Sequence, residues 1–293
     1  MAKRINRAIE LLESGQALYY DGPHTGHVLT YEQGRKDART WADYINVGME
    51  HGAFDMTGFE AYMRGLVDGG PTASGHRAPT VIVEPPVNGT DGPNVAFNAW
   101  QFRQILARGA HGILLCQAES ADAVREFVRA CRFPHHKVGS DKLGIGSRGR
   151  GSEPTAAPIW GIDQQEYFTR SEPWPLAPQG ELLLGVKIES PPGVAHCEEI
   201  LSVPGLGFAE LGPGDLGLSL GYTTLQRRPY PPEMEQARAR VFAACKKNGL
   251  AFLEGATPEN IAQRLDEGVR VISGHSQEVA RIGRAHQKRT MPV

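Results

Sequence analysis

Eight short apolar runs punctuate the chain, at residues 16–20 (QALYY), 44–49 (YINVGM), 80–83 (TVIV), 112–116 (GILLC), 182–188 (LLLGVKI), 208–211 (FAEL), 250–253 (LAFL) and 269–273 (VRVIS). Most are continuously apolar rather than alternating, as expected of parallel strands covered on both faces. Segments of helical period lie between them, at residues 97–107, 121–131, 233–247, 258–267 and 279–287, and residues 1–15 read as a first helix. Ser120 stands where an N-cap is needed, and Thr257-Pro258-Glu259 offers a cap, a proline for the first helical position and an acid for the first turn. Eight strands alternating with helices predict a single (β/α)8 TIM barrel over residues 1–293. An open doubly wound sheet is the runner-up, disfavoured because no G-x-G-x-x-G follows the first strand. Residues 133–180, rich in Gly, Pro, Arg and Trp, break the rhythm and read as a long insertion-like loop of functional or interfacial use.

Composition narrows the class. The chain has 293 residues with 31 Lys+Arg against 33 Asp+Glu, a formal charge of −2 that argues against a nucleic-acid partner. No run approaches the ~20 apolar residues of a membrane span. The first fifteen residues thread charges through their apolar positions and do not read as a secretion signal. Cys116, Cys131, Cys197 and Cys245 are widely spaced without a C-x-x-C pair, which suggests buried, reduced thiols and a cytoplasmic location.

In a barrel of this type, chemistry gathers where the strands end. Those positions carry Glu50-His51, Glu84, Cys116-Gln117, Glu189, Asp215, Glu254 and His275. So many carboxylates in one small mouth are unfavourable unless they are protonated, paired with bases or holding a cation. Oxygen ligands favour a hard divalent ion, Mg²⁺ or Mn²⁺, with Co²⁺ also admissible. The turn Leu211-Gly212-Pro213-Gly214-Asp215 brings backbone close to a ligand, so that Gly214 and Asp215 could hold the carboxylate of a small acid. His24 and His27 follow the first strand and face the same mouth. Cys116 has no evident cationic partner and reads as structural.

The motifs Val186-Lys187-Ile188-Glu189, Gly193-Val194-Ala195, Val203-Pro204-Gly205 and residues 211–221 (LGPGDLGLSLG) resemble the HpcH/HpaI family of class II, metal-dependent 2-keto-acid aldolases. Glu50-His51-Gly52, Gly109-Ala110-His111-Gly112-Ile113 and Arg132-Phe133-Pro134 match further motifs of that family in the same order. The resemblance, with some likeness to the macrophomate synthase type, spans residues 38–272. It implies that Glu189 and Asp215 ligate the metal. It also implies that the backbone at Gly214 and Asp215 binds a pyruvate-like carboxylate, and that His51 is the base, working through a water on the metal. The partners implied are a 2-keto acid such as pyruvate or oxaloacetate, an aldehyde, and other copies of the chain in a homohexamer.

Three positions depart from the family pattern. Gly48 stands where an aspartate usually orients the histidine, Glu84 where an arginine usually meets the keto oxygen, and Lys187 where a glutamine precedes the metal-binding glutamate. Glu50 is then the candidate to orient His51, and a Lys187–Glu84 contact would account for two departures at once. The cation facing the enolate would be Lys187, or else Arg148 or Arg150 from a neighbouring subunit, since these match a segment found at the family's subunit contacts. The expected reaction is aldol cleavage or formation through a pyruvate enolate. The alternatives are an oxaloacetate-type decarboxylase using the same enolate, and a non-catalytic relative that retains metal and keto-acid binding.

Overall fold

A computed structural model describes residues 2–273 and 276–293. Eight parallel strands lie at Leu18–Asp21, Tyr44–Gly48, Thr80–Glu84, Gly112–Leu115, Leu182–Ile188, Phe208–Leu211, Ala251–Gly255 and Val271–Ser273. Each pairs with the next, the eighth pairs back to the first through Leu18 and Val271, and the sheet closes. This is the (β/α)8 barrel expected from the eight apolar runs.

Side chains alternate along each strand, so one parity fills the barrel and the other packs under the helices. Leu18, Tyr20, Tyr44, Ile82, Leu114, Leu183, Phe208, Leu253 and Val271 form the interior cluster, completed by Ala8, Ile9 and Leu11 of the helix Arg7–Glu13. That helix plugs the end where the strands begin. Asn6 caps it by accepting from Ala8 N–H, while its amide donates at 3.0 Å to the carbonyls of His111 and Glu181. The opposite parity, including Ile45, Val83, Ile113, Val186 and Phe252, packs against Phe59, Phe102, Phe127 and Val241 of the outer helices.

Continuing the inward parity toward the strand ends changes its chemistry. Two residues beyond Ile82 stands Glu84, beyond Leu114 Cys116, and beyond Phe208 Glu210, while Leu183 leads through Gly185 to Lys187 and Glu189. The barrel interior is therefore apolar toward the closed end and charged toward the open end.

Two expectations are corrected. Residues 133–180 are not a structureless loop: they fold into the helices Ser140–Leu143, Glu153–Trp160 and Gln164–Arg170 and a two-residue strand, Pro173–Trp174, beside Leu182 and Leu183. These elements are short, Pro154 and Pro158 both fall in the helix Glu153–Trp160, and buried ion pairing such as Arg132–Glu172 at 2.9 Å ties them down. Apolar periodicity therefore carried little signal there. The helix expected from Pro258 begins at Ile261 instead. Thr257 to Asn260 form a turn in which the Asn260 side chain accepts from Thr257 N–H at 2.8 Å. The Ser120 cap is present, accepting from Ala123 N–H. Among the described residues, no helix is long and apolar enough to cross a membrane.

Candidate active site

The strand ends open into a cavity of about 600 Å³ lined by His24, Glu50, His51, Lys187, Glu189, Glu210 and the segment from Leu211 to Asp215, with Arg228, Tyr230 and Arg264 on the far wall. At its centre the Lys187 ammonium donates to Glu50 Oε2 at 3.1 Å and lies 3.4 Å from Glu84 Oε2. The Lys187–Glu84 contact inferred from the sequence is therefore present. Burial works against this ammonium, but the carboxylates of Glu210, Glu84 and Glu189 around it raise its pKa far above the ordinary value.

Glu189 is buried, and its Oε1 accepts the Gln117 backbone N–H at 2.8 Å. Burial pushes its pKa up to about 8, against the opposing influence of Lys187 and the Gln117 hydrogen bond. Its room depends on Gly212, where a Cβ would stand 2.2 Å from Glu189 Oε2. Strand six ends there, and the helix Pro213–Ser219 turns away with Asp215 in its first turn.

Among the described residues, two groupings offer ligand atoms within 4.8 Å of one another: Glu50 with Cys116 and Glu189, and Glu50 with His51 and Asp215. Glu50 belongs to both. The Cys116 thiol is pushed well above its usual range by burial and is a poor partner for a hard ion. Neither grouping holds Glu189 and Asp215 together, but the carboxylate and imidazole donors of Glu50, Glu189, His51 and Asp215 are of the type suited to Mg²⁺ or Mn²⁺. A buried glutamate reluctant to ionise without a cation fits the same reading.

His51 is exposed, with Nε2 3.8 Å from Glu50 Oε2. Glu84 lies beneath the cavity floor, fully buried and hydrogen-bonded to His24. Glu254 lines the far wall but is matched by Arg238 at 2.7 and 2.8 Å. His27 turns away from the mouth to Asp37 and Tyr62, at 3.2 and 3.0 Å. His275 lies outside the described residues.

Arg148 is not brought to the mouth. It is 1% exposed, packed 4.5 Å over Phe133 and bonded to Ser152, Ser171 and the Tyr167 hydroxyl. Tyr167 in turn donates to Leu106 O, just ahead of strand four, which places the group at the opposite end of the barrel. Its own chain encloses it, so it offers no free guanidinium to a neighbouring copy. Arg150 is exposed over the Phe168 ring, also away from the mouth.

Sequence reasoning missed Glu210. It is buried with Oε2 unbonded, burial raises its pKa, and it stands opposite Lys187 in the sheet. The available signal was parity: an acid two places beyond Phe208 on the inward face.

Residues 87–277 match the family model of HpcH/HpaI aldolase/citrate lyase. The chain belongs to this family. Among curated relatives, a hydroxypyruvate/pyruvate aldolase of Delftia acidovorans is 33% identical over 172 residues, 58% of this chain and 56% of that one. The chain thus spans a little over half the length of that relative. Among the solved structures that share the fold are two of high coverage. One is an HpcH/HpaI aldolase/citrate lyase family protein from Burkholderia cenocepacia, with a TM-score of 0.69, 23% identity and 96% of both chains covered. The other is macrophomate synthase, with a TM-score of 0.66, 17% identity, and 97% of this chain and 88% of that one covered.

Proposed function

We propose that this family member is a divalent-metal-dependent carbon–carbon lyase that cleaves or forms aldols of 2-keto acids through a pyruvate enolate. The observation that carries the reading is Glu50 at the C-terminal mouth of the barrel, which groups within 4.8 Å with Glu189 on one side and with His51 and Asp215 on the other, all lining one cavity. The relative named hydroxypyruvate/pyruvate aldolase supports the substrate class. Glu189 and Asp215, joined by Glu50, would hold the ion. When bound, a Mg²⁺, Mn²⁺ or Co²⁺ ion would draw charge from the keto oxygen and lower the barrier to the enolate.

The chain's own groups supply the rest. The backbone at Gly214 and Asp215 receives the keto-acid carboxylate. His51, with Glu50 beside it, takes the proton from the hydroxyl that becomes the aldehyde oxygen. The Lys187 ammonium provides fixed positive charge where the enolate develops. Glu84 acts from below the floor rather than by touching substrate. Assembly as a homohexamer in the cytoplasm belongs to the same reading.

A second reading, decarboxylation of oxaloacetate, is favoured by one feature: His51 lies 3.8 Å from its nearest carboxylate, and this reaction needs no hydroxyl base. Both readings are tested by following pyruvate released from oxaloacetate and from a 4-hydroxy-2-keto acid. Release should require Mg²⁺ or Mn²⁺, stop with EDTA, and be lost in Glu189→Gln and Asp215→Asn with the fold intact. A metal-bound structure is expected to show both carboxylates at roughly 2.0–2.2 Å from the ion. Metal-independent turnover, or either carboxylate turned away, defeats the proposal. Binding of metal and pyruvate without turnover would instead mark a non-catalytic relative.

A further inference from the structure

The departures at Gly48, Glu84 and Lys187 converge on one residue, His24: Gly48 lies against its backbone, Glu84 bonds its ring, and Lys187 pairs with that Glu84. Its Nδ1 lies 2.8 and 2.7 Å from the two oxygens of Glu84, which is completely buried. Glu84 also faces Lys187 at 3.4 Å. A carboxylate against one ring nitrogen fixes the tautomer and leaves the other nitrogen for proton exchange. That nitrogen, Nε2, has the Tyr20 hydroxyl at 3.4 Å, a long contact, and the His24 ring lines the cavity.

Gly48 makes this arrangement available. A Cβ at position 48 would stand 2.3 Å from the His24 carbonyl oxygen and 2.6 Å from its Cα. No aspartate fits there while the His24 backbone lies against it. The space at position 48 is taken by the backbone of a second histidine, whose ring has its own carboxylate partner in Glu84.

The geometry points to His24, oriented by Glu84, as a second acid–base group of this cavity, exchanging the proton at the methyl carbon of the keto acid. The assignment rests on the 2-keto-acid reading above. In the cleavage direction the substrate hydroxyl gives its proton to His51 and the bond between C3 and C4 breaks. The electron pair of that bond forms the enolate as the aldehyde departs. The His24 imidazolium then gives its Nε2 proton to C3, yielding the methyl group of pyruvate. His51 returns its proton to solvent, His24 regains one, and no co-reactant is needed.

The charges facing His24 come from three other strands across the barrel mouth, Glu84 from the third, Lys187 from the fifth and Glu210 from the sixth, with Tyr20 on the first strand that leads into its own loop. Burial lowers the imidazole pKa, but Glu84, by hydrogen bond and charge, and then Glu210 outweigh it against Lys187, so it lies above the usual histidine value.

The test is deuterium incorporation into the methyl group of pyruvate in D₂O with Mg²⁺, followed by NMR, with a histidine titration on the metal-free protein. His24→Asn should slow exchange by roughly 10²-fold or more at an unchanged melting temperature. Glu84→Gln should lower the pKa of the His24 ring resonance and move the pH profile of exchange with it. This second variant also decides the matter if His24→Asn does not fold. His27→Asn, in the same loop but outside the cavity, should exchange at the wild-type rate. Exchange in His24→Asn within about threefold of wild type overturns the inference while leaving the keto-acid reading standing. A wild-type protein that exchanges neither pyruvate nor hydroxypyruvate overturns that reading and this assignment together.

Discussion

Where the strands begin, one aspartate is surrounded by arginines; where they end, one lysine is surrounded by glutamates. Asp43 Oδ1 accepts from Arg289 at 2.7 Å and Arg284 at 3.2 Å, with Arg7 3.7 Å away, and Oδ2 takes the Tyr19 backbone N–H at 2.9 Å. Both carboxylate oxygens are engaged, and the helix Arg7–Glu13 seals this end. Lys187, at the other end, faces Glu50, Glu84, Glu189 and Glu210, more acids than it can neutralise. One of them has an unbonded buried oxygen, and another is held up to about 8. Cations outnumber the acid at the closed end, and the cluster serves stability. Acids outnumber the cation at the open end, leaving a field that suits an added ion. The same barrel thus separates the work of holding the fold from the work of chemistry.

Breaking the closed end should give the largest effect on folding. Asp43→Asn leaves buried arginines without their counter-charge, and loss of one partner of such a pair costs about 3–5 kcal/mol. Urea unfolding should show that loss, while turnover per folded molecule stays at wild type. A drop below about 1 kcal/mol would mean that the arginines relax into water and the cluster does not hold this end.

At the open end, Lys187→Met should reduce turnover by about 10²–10³ with metal affinity little changed, because it removes fixed positive charge facing the enolate. It also strands Glu50 and Glu84. Adding Glu84→Gln to it should therefore recover thermal stability without recovering turnover. Normal turnover in Lys187→Met would sink this role. The structure withdraws Arg148 as its replacement, since that guanidinium is enclosed at the other end.

The smallest effect sharpens the contrast by pH. His111, beside the closed end, is buried and accepts the Val81 N–H on Nδ1 at 3.2 Å, so a charged ring would lose that bond. Burial, with His76 nearby, lowers its pKa to about 3, against about 6.5 in the unfolded chain. The unfolded state therefore binds a proton that the folded state refuses. The stability this confers is complete above about pH 6.5 and is lost as pH falls toward 3, with a limiting slope of about 1.4 kcal/mol per pH unit. Urea titrations between pH 7 and pH 5 should show the slope, and His111→Gln should flatten it. An unchanged slope in that variant would assign the acid sensitivity elsewhere.

Much of the barrel was legible because a buried strand must be apolar on both faces, and eight such runs stand out from their surroundings. Glu84, Lys187 and Glu189 were readable at strand ends for the same reason: a charge there has nowhere to go but the mouth. Glu210 escaped notice because the run FAEL reads as apolar unless parity is counted from Phe208. The fold of residues 133–180 escaped because its helices are short and held by Arg132–Glu172 and by aromatic contacts around Arg148.

The sequence by itself determined the barrel, its direction and the acids gathered at its open end, since alternation and strand order follow from local patterning. Which acid pairs with which cation was decided only in three dimensions. Glu50, Glu84 and Lys187 come from strands or loops far apart in the chain, and their partnership depends on barrel closure and register. His24 shows this most clearly: a loop histidine acquires a buried carboxylate only because the backbone at Gly48 lets its loop lie close.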